Sequence, residues 1–390
     1  MGNRARILIL DGMWNKSLAA VRSLGSKGLH VTAGEETRLA TALFSRYCTK
    51  RFIYPSPAGH QERFIEHLER ELREGNYNVI MPTEWGTQRL LTESVTRQRL
   101  ERYTRIPYAN AFLAERVNDK AFVMNHAMGR GISIPNTYFP SGSEHLIKIA
   151  QNLAYPVLIK PRSSSGSRGI ARAGNKEELL VSYKKVHQKY PFPLVQERIP
   201  PGGGAYGVGV LLNFQSHVRA SFVYRRIREY PVSGGPSTLR ESARNDLVRE
   251  IAESLLQSLQ WIGVAHVEFK VDPRNGQPKL LEVNPRFWGS LSLAIESGMD
   301  FPFLLYRMAM EGDIETVRDY KVGVRCRWLI PGDMLHFIMN PQRFKLRPHF
   351  FDFSMKDDIL SREDPLPTLG RALSLFSLLF HGEMRALLRR

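Results

Sequence analysis

The chain has 390 residues, 43% of them hydrophobic, and its 55 Lys and Arg against 38 Asp and Glu give a formal net charge of +17. That length buries more than one core and predicts two or three domains of an ordinary soluble globular protein, while two distant cysteines exclude a disulfide framework and a zinc site. The charge favours anionic partners, whether nucleotides, nucleic acid, acidic lipid or acidic small molecules, without choosing among them.

The opening "MGNRARILILDG" places basic residues before an apolar run, but Asp11 ends that run after four residues, so a first strand is expected and not a signal peptide. Arg6 stands where an N-myristoylation motif carries Ser or Thr, and no stretch reaches the roughly 20 apolar residues of a membrane span. With Cys48 and Cys326 unpaired by spacing, a reducing cytoplasm is the expected location. Strand and helix patterns then alternate: "ARILIL", the helix "NKSLAAVRSLGSKG" stopped at Gly28, "LHVTAG", "RFIYPSP", the helix "HQERFIEHLERELREG" and the strand "NVIMPT". This order predicts a parallel Rossmann-like sheet. Its first turn, "DGMWNKS", lacks Gly-x-Gly-x-x-Gly, so the domain reads as a scaffold and an NAD(P) oxidoreductase is disfavoured. Glu84 and Trp85, at the carboxyl end of a strand, are candidates for a substrate pocket or for a structural role.

A second unit opens near Val117 with the capped helix of "NDKAFVMNHAMGRG", then a strand opened by Pro135, a helix near residues 143–153, and "YPVLIKPRSSSGSRGIARA", which reads as strand, glycine-rich loop, strand. "KPRSSSGSRG", Lys160 to Gly169, is either a surface turn or a nest of backbone N–H groups around phosphate, with Lys160 as a point charge. It is not a Walker A loop, because no Gly-Lys-Ser/Thr closes it. The third unit, "PLVQERIPPGGGAYGVGVLLNFQSHVRASFVYRRIREYP", alternates as an antiparallel sheet does. A helix over about Ser242 to Leu259 leads into "GVAHVEFKVD" and "PKLLEVNPRF", joined by the hairpin-type turn "DPRNGQP".

Side chains two apart share a face of a strand, so His266, Glu268 and Lys270 line one face and Glu282, Asn284 and Arg286 line one face of the next strand. Pairing brings two carboxylates and an amide oxygen together. They form either a solvated face in which Glu268 pairs Lys270 and Glu282 pairs Arg286, or a magnesium site, since Mg²⁺ prefers oxygen ligands and retained water. Alternation puts Arg226 and Arg228 on one face and Arg225 on the other, either to hold a substrate carboxylate by bidentate bonds or as solvated strand-end charges. "PSTLRES", with Arg240 and Ser242, is a candidate to close over the same cleft.

In order and spacing these pieces resemble the ATP-grasp superfamily of carboxylate ligases over roughly Arg6 to Gly312. The resemblance implies an α/β plus α+β fold: a Rossmann-like pre-ATP-grasp domain (1–116), a small lobe with a glycine-rich phosphate loop (117–192), a C-terminal lobe with the metal site (193–318) and a C-terminal extension with an amphipathic helix (319–390). Lys120 in "NDKAF" and Lys160 in "VLIKP" match the family's two nucleotide-phosphate lysines. Ser163, Ser164, Ser165, Gly166, Ser167 and Gly169 match its mobile phosphate loop. Gln196, Glu197, Arg198 and Ile199 in "LVQERI" match the adenine hinge, Glu268, Glu282 and Asn284 the magnesium ligands, and Arg286 the arginine beside the transferring phosphoryl group. The implied cofactors are ATP and Mg²⁺, with Mn²⁺ as a substitute. The implied reaction activates a carboxylate as an acyl phosphate and joins it to an amine or similar nucleophile, with Lys160, Arg226 and Arg286 in catalytic roles. The front end "SLAAVRSLGSKG" and "YRRIREYPVSGG" are most similar to ATP-dependent carboligases, with weaker kinship to carbamoyl-phosphate-synthase-like and D-alanine ligase branches.

The final segment "TLGRALSLFSLLFHGEMRALLRR" spaces Arg371, Ser374, Ser377, His381, Arg385 and Arg389 as the polar face of an amphipathic helix. The helix either docks on the body of the protein or a second subunit, or attaches peripherally to anionic lipid at the inner membrane surface. The partners expected are therefore ATP and small-molecule carboxylate and amine substrates, with a homodimer as the default assembly. The alternative is a non-catalytic basic protein for nucleic acid or acidic polymer. It is opposed by scattered basic residues and by the lack of a nucleic-acid recognition motif.

Overall fold

The computed structural model describes residues 4–380 apart from Ser165 and Ser233, with side chains up to residue 375. Of the polar positions assigned to the last helix, Ser377, His381, Arg385 and Arg389 therefore lie outside the described side chains, as does Ser165 of the glycine-rich loop.

The chain opens with β1 (Arg6–Ile9), α1 (Asn15–Ser26), β2 (His30–Glu35), β3 (Lys50–Ile53), α2 (Gln61–Gly75), β4 (Val79–Met81), α3 (Trp85–Thr92) and α4 (Ser94–Leu100). The strands form a parallel sheet in the order β3-β2-β1-β4. Ile7 to Leu10 are fully buried, the continuous apolar run of a parallel strand covered on both faces. In α2 the buried residues Phe64, Ile65, Leu68 and Leu72 recur at helical spacing and leave the charged arc in water.

Next come α5 (Ala111–Asn118), α6 (Lys120–Gly129), β5 (Thr137–Tyr138), α7 (Ser143–Gln151), β6 (Val157–Lys160), β7 (Ala171–Ala173), α8 (Lys176–Lys189) and β8 (Leu194–Glu197). The antiparallel sheet β5-β8-β6-β7 and helices α7 and α8 enclose a small core of Leu146, Val157, Ile159, Leu179, Tyr183 and Val195. Ala114, Val117, Val123 and Met124 of α5 and α6 are buried elsewhere, against Val208, Val267, Leu280 and Val283 of the large sheet. This sets the N-terminus of α6 beside that sheet.

The remaining elements are β9 (Ala205–Leu212), β10 (Val218–Glu229), β11 (Ser237–Ser242), α9 (Asp246–Ser258), β12 (Gly263–Val271), β13 (Pro278–Asn284), α10 (Leu291–Glu296), α11 (Phe301–Glu311), β14 (Arg325–Arg327), α12 (Met334–Met339), β15 (Lys356–Asp357) and α13 (Leu366–Phe380). Seven strands pair in the order β13-β12-β9-β10-β11-β14-β15. The residues after 318 thus supply two of the strands of this sheet. The helix predicted from about Ser242 begins later, because Ser242 is still in β11 and the Asn245 side chain caps α9 by accepting from Val248 N.

Two expectations are corrected, and the last helix takes one of its two expected placements. The pairing of β10 with β11 slips between Arg226 and Arg228, so two steps along β10 match one along β11 and the simple alternation fails. Arg226 pairs with Glu268, whereas Arg228 is buried against Asp333 at 3.1 Å. Arg240 and Ser242 do not belong to a closing segment. Arg240 is buried in an ion pair with Asp358 at 2.5 Å, and Ser242 donates to Lys321 O at 2.8 Å, both inside the sheet. In α13 the polar residues face inward: Arg371 and Ser374 are buried, Arg371 donates to Met13 O at 3.0 Å, and Leu366 and Leu369 are exposed. The helix therefore docks its polar face on the first domain, with Gly370 against Phe44, where a Cβ would approach a ring carbon at 2.6 Å.

Candidate active site

Glu268 and Glu282 are directly opposed in the antiparallel pairing of β12 with β13, and Asn284 lies opposite His266 two residues further. Neither of the pairs Glu268–Lys270 and Glu282–Arg286 forms. Lys270 instead donates to Ile199 O at 3.0 Å, and Arg286 donates to Phe287 O at 2.9 Å and to Asn284 Oδ1 at 3.3 Å. Each carboxylate takes its cation from another element. Lys120 of α6 stands 3.0 Å from Glu282, and Arg226 of β10 pairs with Glu268.

These cations set the charge states. Burial opposes ionisation of Glu282, but Lys120, Asn284 and Lys160 outweigh it and hold the carboxyl at about 2. Burial raises Glu268, with Arg226 opposing and Glu282 adding to the rise. Burial also brings Lys160 down to about 8. Its ammonium donates to Gln196 Oε1 at 2.6 Å, and Gln196 in turn donates to Thr137 Oγ1 at 2.8 Å, which commits that side chain to the small sheet.

Lys120 is placed by its helix start. The Asp119 side chain accepts from Ala121 N at 2.8 Å as the N-cap, and it also pairs with Arg162. Lys120 N donates to Arg162 O at 2.9 Å and Lys120 Nζ to Ser164 O at 2.8 Å, so the root of the glycine-rich loop is pinned to α6. Beyond the root, Gly166, Ser167 and Gly169 adopt φ of 62°, 60° and 75°, and Ser163 and Gly166 are exposed. A Cβ on Gly169 would come within 2.5 Å of the Tyr190 ring, whereas nothing lies within 4 Å of one on Gly166. The loop is tight at its exit and open at its tip.

The strand predicted as the hinge ends at Glu197, whose N–H donates to Asn136 O at 2.8 Å and whose carboxylate pairs with Arg274. Arg198 and Ile199 follow, and Lys270 ties the Ile199 carbonyl to the large sheet where the two sheets meet. Lysines and backbone from the small lobe therefore converge with carboxylates from the large one.

Two carboxylates and an amide oxygen suit Mg²⁺, which binds through one or two carboxylates and keeps water and phosphate in its remaining positions. Among the described residues no three His, Cys, Asp or Glu side chains cluster, so a site for a metal with many protein ligands is not offered. The Asn284 amide donates to Glu282 Oε1 at 3.1 Å, so its oxygen reaches a cation there only after the amide turns over.

A family model described as ATP-grasp in the biosynthetic pathway with Ter operon matches residues 206–330, the strands that carry Arg226, Glu268 and Glu282. A carbamoyl phosphate synthase large chain, C-terminal section, from Methanopyrus kandleri is 24% identical over 275 residues, 68% of this chain and 48% of that relative. The biotin carboxylase domain of Hydrogenobacter thermophilus 2-oxoglutarate carboxylase superposes with a TM-score of 0.68 at 15% identity, covering 83% of this chain and 74% of that one. Staphylococcus aureus N5-carboxyaminoimidazole synthetase, complexed with ADP, gives 0.63 at 17% identity over 82% and 80% of the two chains. Residues 206–330 are thus similar to an ATP-grasp family, and most of the chain shares the fold of the solved ADP-bound neighbours. The chain spans less than half the length of the Methanopyrus relative.

The first domain reaches the same cleft through residues that sequence reasoning only half found. Asp11 at the end of β1, with φ of 63°, accepts from Thr83 N and Glu84 N, each at 2.8 Å, and from Thr87 Oγ1 at 2.6 Å, which fixes the start of α3. Glu84 then pairs with buried Lys16 at 2.6 Å, Lys16 donates to Phe287 O at 3.3 Å, and Gln88 Nε2 to Pro285 O at 2.7 Å. Burial disfavours the Glu84 charge, but Lys16 and Arg286 more than restore it. Trp85 opens α3 beside this pair. Lys16 was missed because "DGMWNKS" was read only for glycines, although its place after β1 is where open α/β sheets put ligand contacts.

Proposed function

We propose that this protein is an ATP-grasp enzyme, an ATP- and Mg²⁺-dependent ligase that activates a carboxylate as an acyl phosphate and joins it to an amine or similar nucleophile, releasing ADP and phosphate. The observation that carries the reading is the meeting of Glu268 and Glu282 with Lys120 and Lys160 beneath a glycine-rich loop. The relatives' names span carboxylases and a ligase, and one solved neighbour of fold is an L-amino acid ligase from Bacillus licheniformis at a TM-score of 0.60 and 16% identity, over 81% of this chain and 76% of that one.

In this reading Lys120 and Lys160 offset phosphate charge, and the backbone of Ser163 to Gly169 closes over the phosphates. The hinge at Glu197 to Ile199 takes the base, and Gln196 holds Lys160 in place. Glu268, Glu282 and Asn284 would hold Mg²⁺, or Mn²⁺ in its stead. The ion, when bound, supplies positive charge that offsets the approach of a carboxylate to the terminal phosphate. Arg226, which pairs with Glu268 at the edge of the same space, is the group to hold a substrate carboxylate. Arg286, held by Asn284 and Phe287, faces the same space and steadies charge on the transferring group. Lys16 and Glu84 close the cleft from the first domain.

The test is ADP release with Mg²⁺-ATP by the wild type and by Glu282→Ala, over a panel of amino acids and other carboxylates, each with and without an added amine. ADP formed only with a particular pair, and lost in the variant, supports the ligase. A folded protein that neither binds Mg²⁺-ATP nor releases ADP with any pair refutes it.

A further inference from the structure

After β14 the chain makes a turn over Leu329–Asp333, enters α12 and runs as an irregular segment to β15. This stretch lies almost wholly beyond the family match, which ends at residue 330. The polar groups at its start are turned inward. Asp333 is fully buried against Arg228 and accepts from Thr238 Oγ1 at 3.0 Å, and buried His336 is bonded through Nδ1 to Glu229 O at 2.8 Å. Its apolar groups are turned outward. Met334, Ile338 and Met339 are 42%, 57% and 59% exposed, and Phe344, Phe351 and Phe353 are 68%, 54% and 69% exposed.

These side chains are ordered as a surface. The Phe337 ring stacks on Phe350 at 4.2 Å and meets Phe351 and Phe344 edge-on at 5.7 and 5.8 Å. Arg327 lies 5.0 Å from the Phe353 ring and supports it from below. Arg343, Lys345 and Arg347 are exposed among these rings, and among the described residues none of the three has a carboxylate partner. Asp352 is the one acid between residues 334 and 355, and it is occupied by Ser354.

We propose that α12 and residues 340–353 form a membrane-contacting surface that seats on an anionic lipid bilayer. Exposed Phe, Met and Ile gain by entering the acyl boundary, while the three cations between them meet lipid phosphate at the depth of the headgroups. A symmetric contact with a second copy would instead oppose these cations to themselves. A polynucleotide would match the charge but leave Met334, Ile338 and Met339 in water. The surface and the cleft share one frame, because Asp333 fixes the turn before α12 to β10, the strand that carries Arg226. The inference stands independently of the ligase reading, since it uses none of the cleft residues.

The test is flotation of the full chain with vesicles of phosphatidylcholine containing phosphatidylglycerol, against vesicles of phosphatidylcholine alone. The protein is expected to float with the anionic vesicles, less so as salt rises, and to remain at the bottom with the neutral ones. Lys345→Glu/Arg347→Glu should lower the bound fraction at least about tenfold. Ile338→Ser/Phe344→Ser/Phe353→Ser should lower it as well, with an unchanged thermal unfolding midpoint. If the apolar variant misfolds, the charge variant alone decides. A wild type that stays at the bottom with anionic vesicles overturns the proposal, and so do variants that float like the wild type. A concentration-dependent dimer or a polynucleotide complex abolished by these variants, without flotation, assigns the face to that partner instead.

Discussion

Glu268 and Glu282 face each other across one antiparallel pair, and each is neutralised by a cation from a different part of the chain, Arg226 and Lys120. Two half-buried carboxylates in register would repel strongly unless a positive charge stood between them. Here the strands bring the acids together, and the small-lobe boundary and β10 bring the bases.

Lys120→Met removes the main cation holding the Glu282 carboxyl at about 2. A folded-state pKa depressed from an ordinary 4.5 contributes stability that is present above that value and lost as pH falls through about 2. The variant should lose about 2 kcal/mol of unfolding free energy at neutral pH, and its stability should fall less steeply than the wild type's below about pH 4.5. Urea unfolding at several pH values measures both. Equal stability and equal acid slopes would show that Lys120 does not govern Glu282.

Lys160→Met is expected to act in opposite directions on stability and on nucleotide binding. Burial brings Lys160 from an ordinary 10.5 down to about 8, so the unfolded chain binds the extra proton between these values and wild-type stability gains with rising pH across that window. Without the lysine that gain disappears. Below pH 8 the variant should be more stable, by at most about 3 kcal/mol, while its affinity for Mg²⁺-ATP falls at least about tenfold. Thermal unfolding with and without nucleotide separates the two effects. A variant that is less stable at pH 7 would show that the hydrogen bond to Gln196 outweighs the cost of burying the charge.

The parallel first sheet was legible because its strands are continuous apolar runs separated by helices with clear periodicity. The carboxylate pair was legible because Glu268 and Glu282 are symmetrically placed about a short hairpin turn. What escaped depends on contacts between distant segments. The slip at Arg226 and Arg228 leaves no mark in "YRRIRE", and alternation put both arginines on one face. Lys16 carries no motif, and its partner Glu84 lies on another strand's carboxyl end. The direction of α13 was unreadable from its own pattern, because the backbone of the first domain accepts Arg371. Glycines in "AYGVGVLL" gave no warning of the rings that fill the space above them.

Those rings form a ladder behind the acids. Tyr224, His266 and Trp288 stack at 5.8 and 5.5 Å, with Tyr224 OH 3.0 Å from His266 Nε2. A Cβ on Gly209 would come within 2.2 Å of the Trp288 ring, and one on Gly207 within 2.4 Å of Tyr224. Gly209→Ala should therefore displace Trp288 and the His266 ring stacked on it, two residues from Glu268. The expected cost is about 1–3 kcal/mol of stability together with weaker Mg²⁺ binding. Trp fluorescence and calorimetric titration with Mg²⁺ and ADP are the measurements. An unchanged emission maximum and unchanged affinity would show that the ladder does not position the acids.

Arg240 and Asp358 join β11 to the residues just after β15, at 2.5 Å and with both side chains 1% exposed. Asp358 also accepts from Asn15 of α1 at 3.2 Å, and Arg22 of the same helix holds Asp364 at 2.8 Å, so this pair fastens the C-terminal segment and the first domain to the large sheet. Removing one partner leaves an uncompensated buried charge, whereas replacing both with apolar residues does not. Asp358→Asn should cost about 3–5 kcal/mol. Arg240→Met/Asp358→Leu should recover most of that stability while loosening the first domain against the sheet. Because Lys16 and Glu84 reach the cleft from that domain, the double variant should keep its nucleotide affinity but turn over substrate more slowly. Chemical denaturation and ADP release read the two quantities separately. A double variant as unstable as Asp358→Asn would place the stabilising contribution in the ion pair itself and not in the avoidance of a lone buried charge.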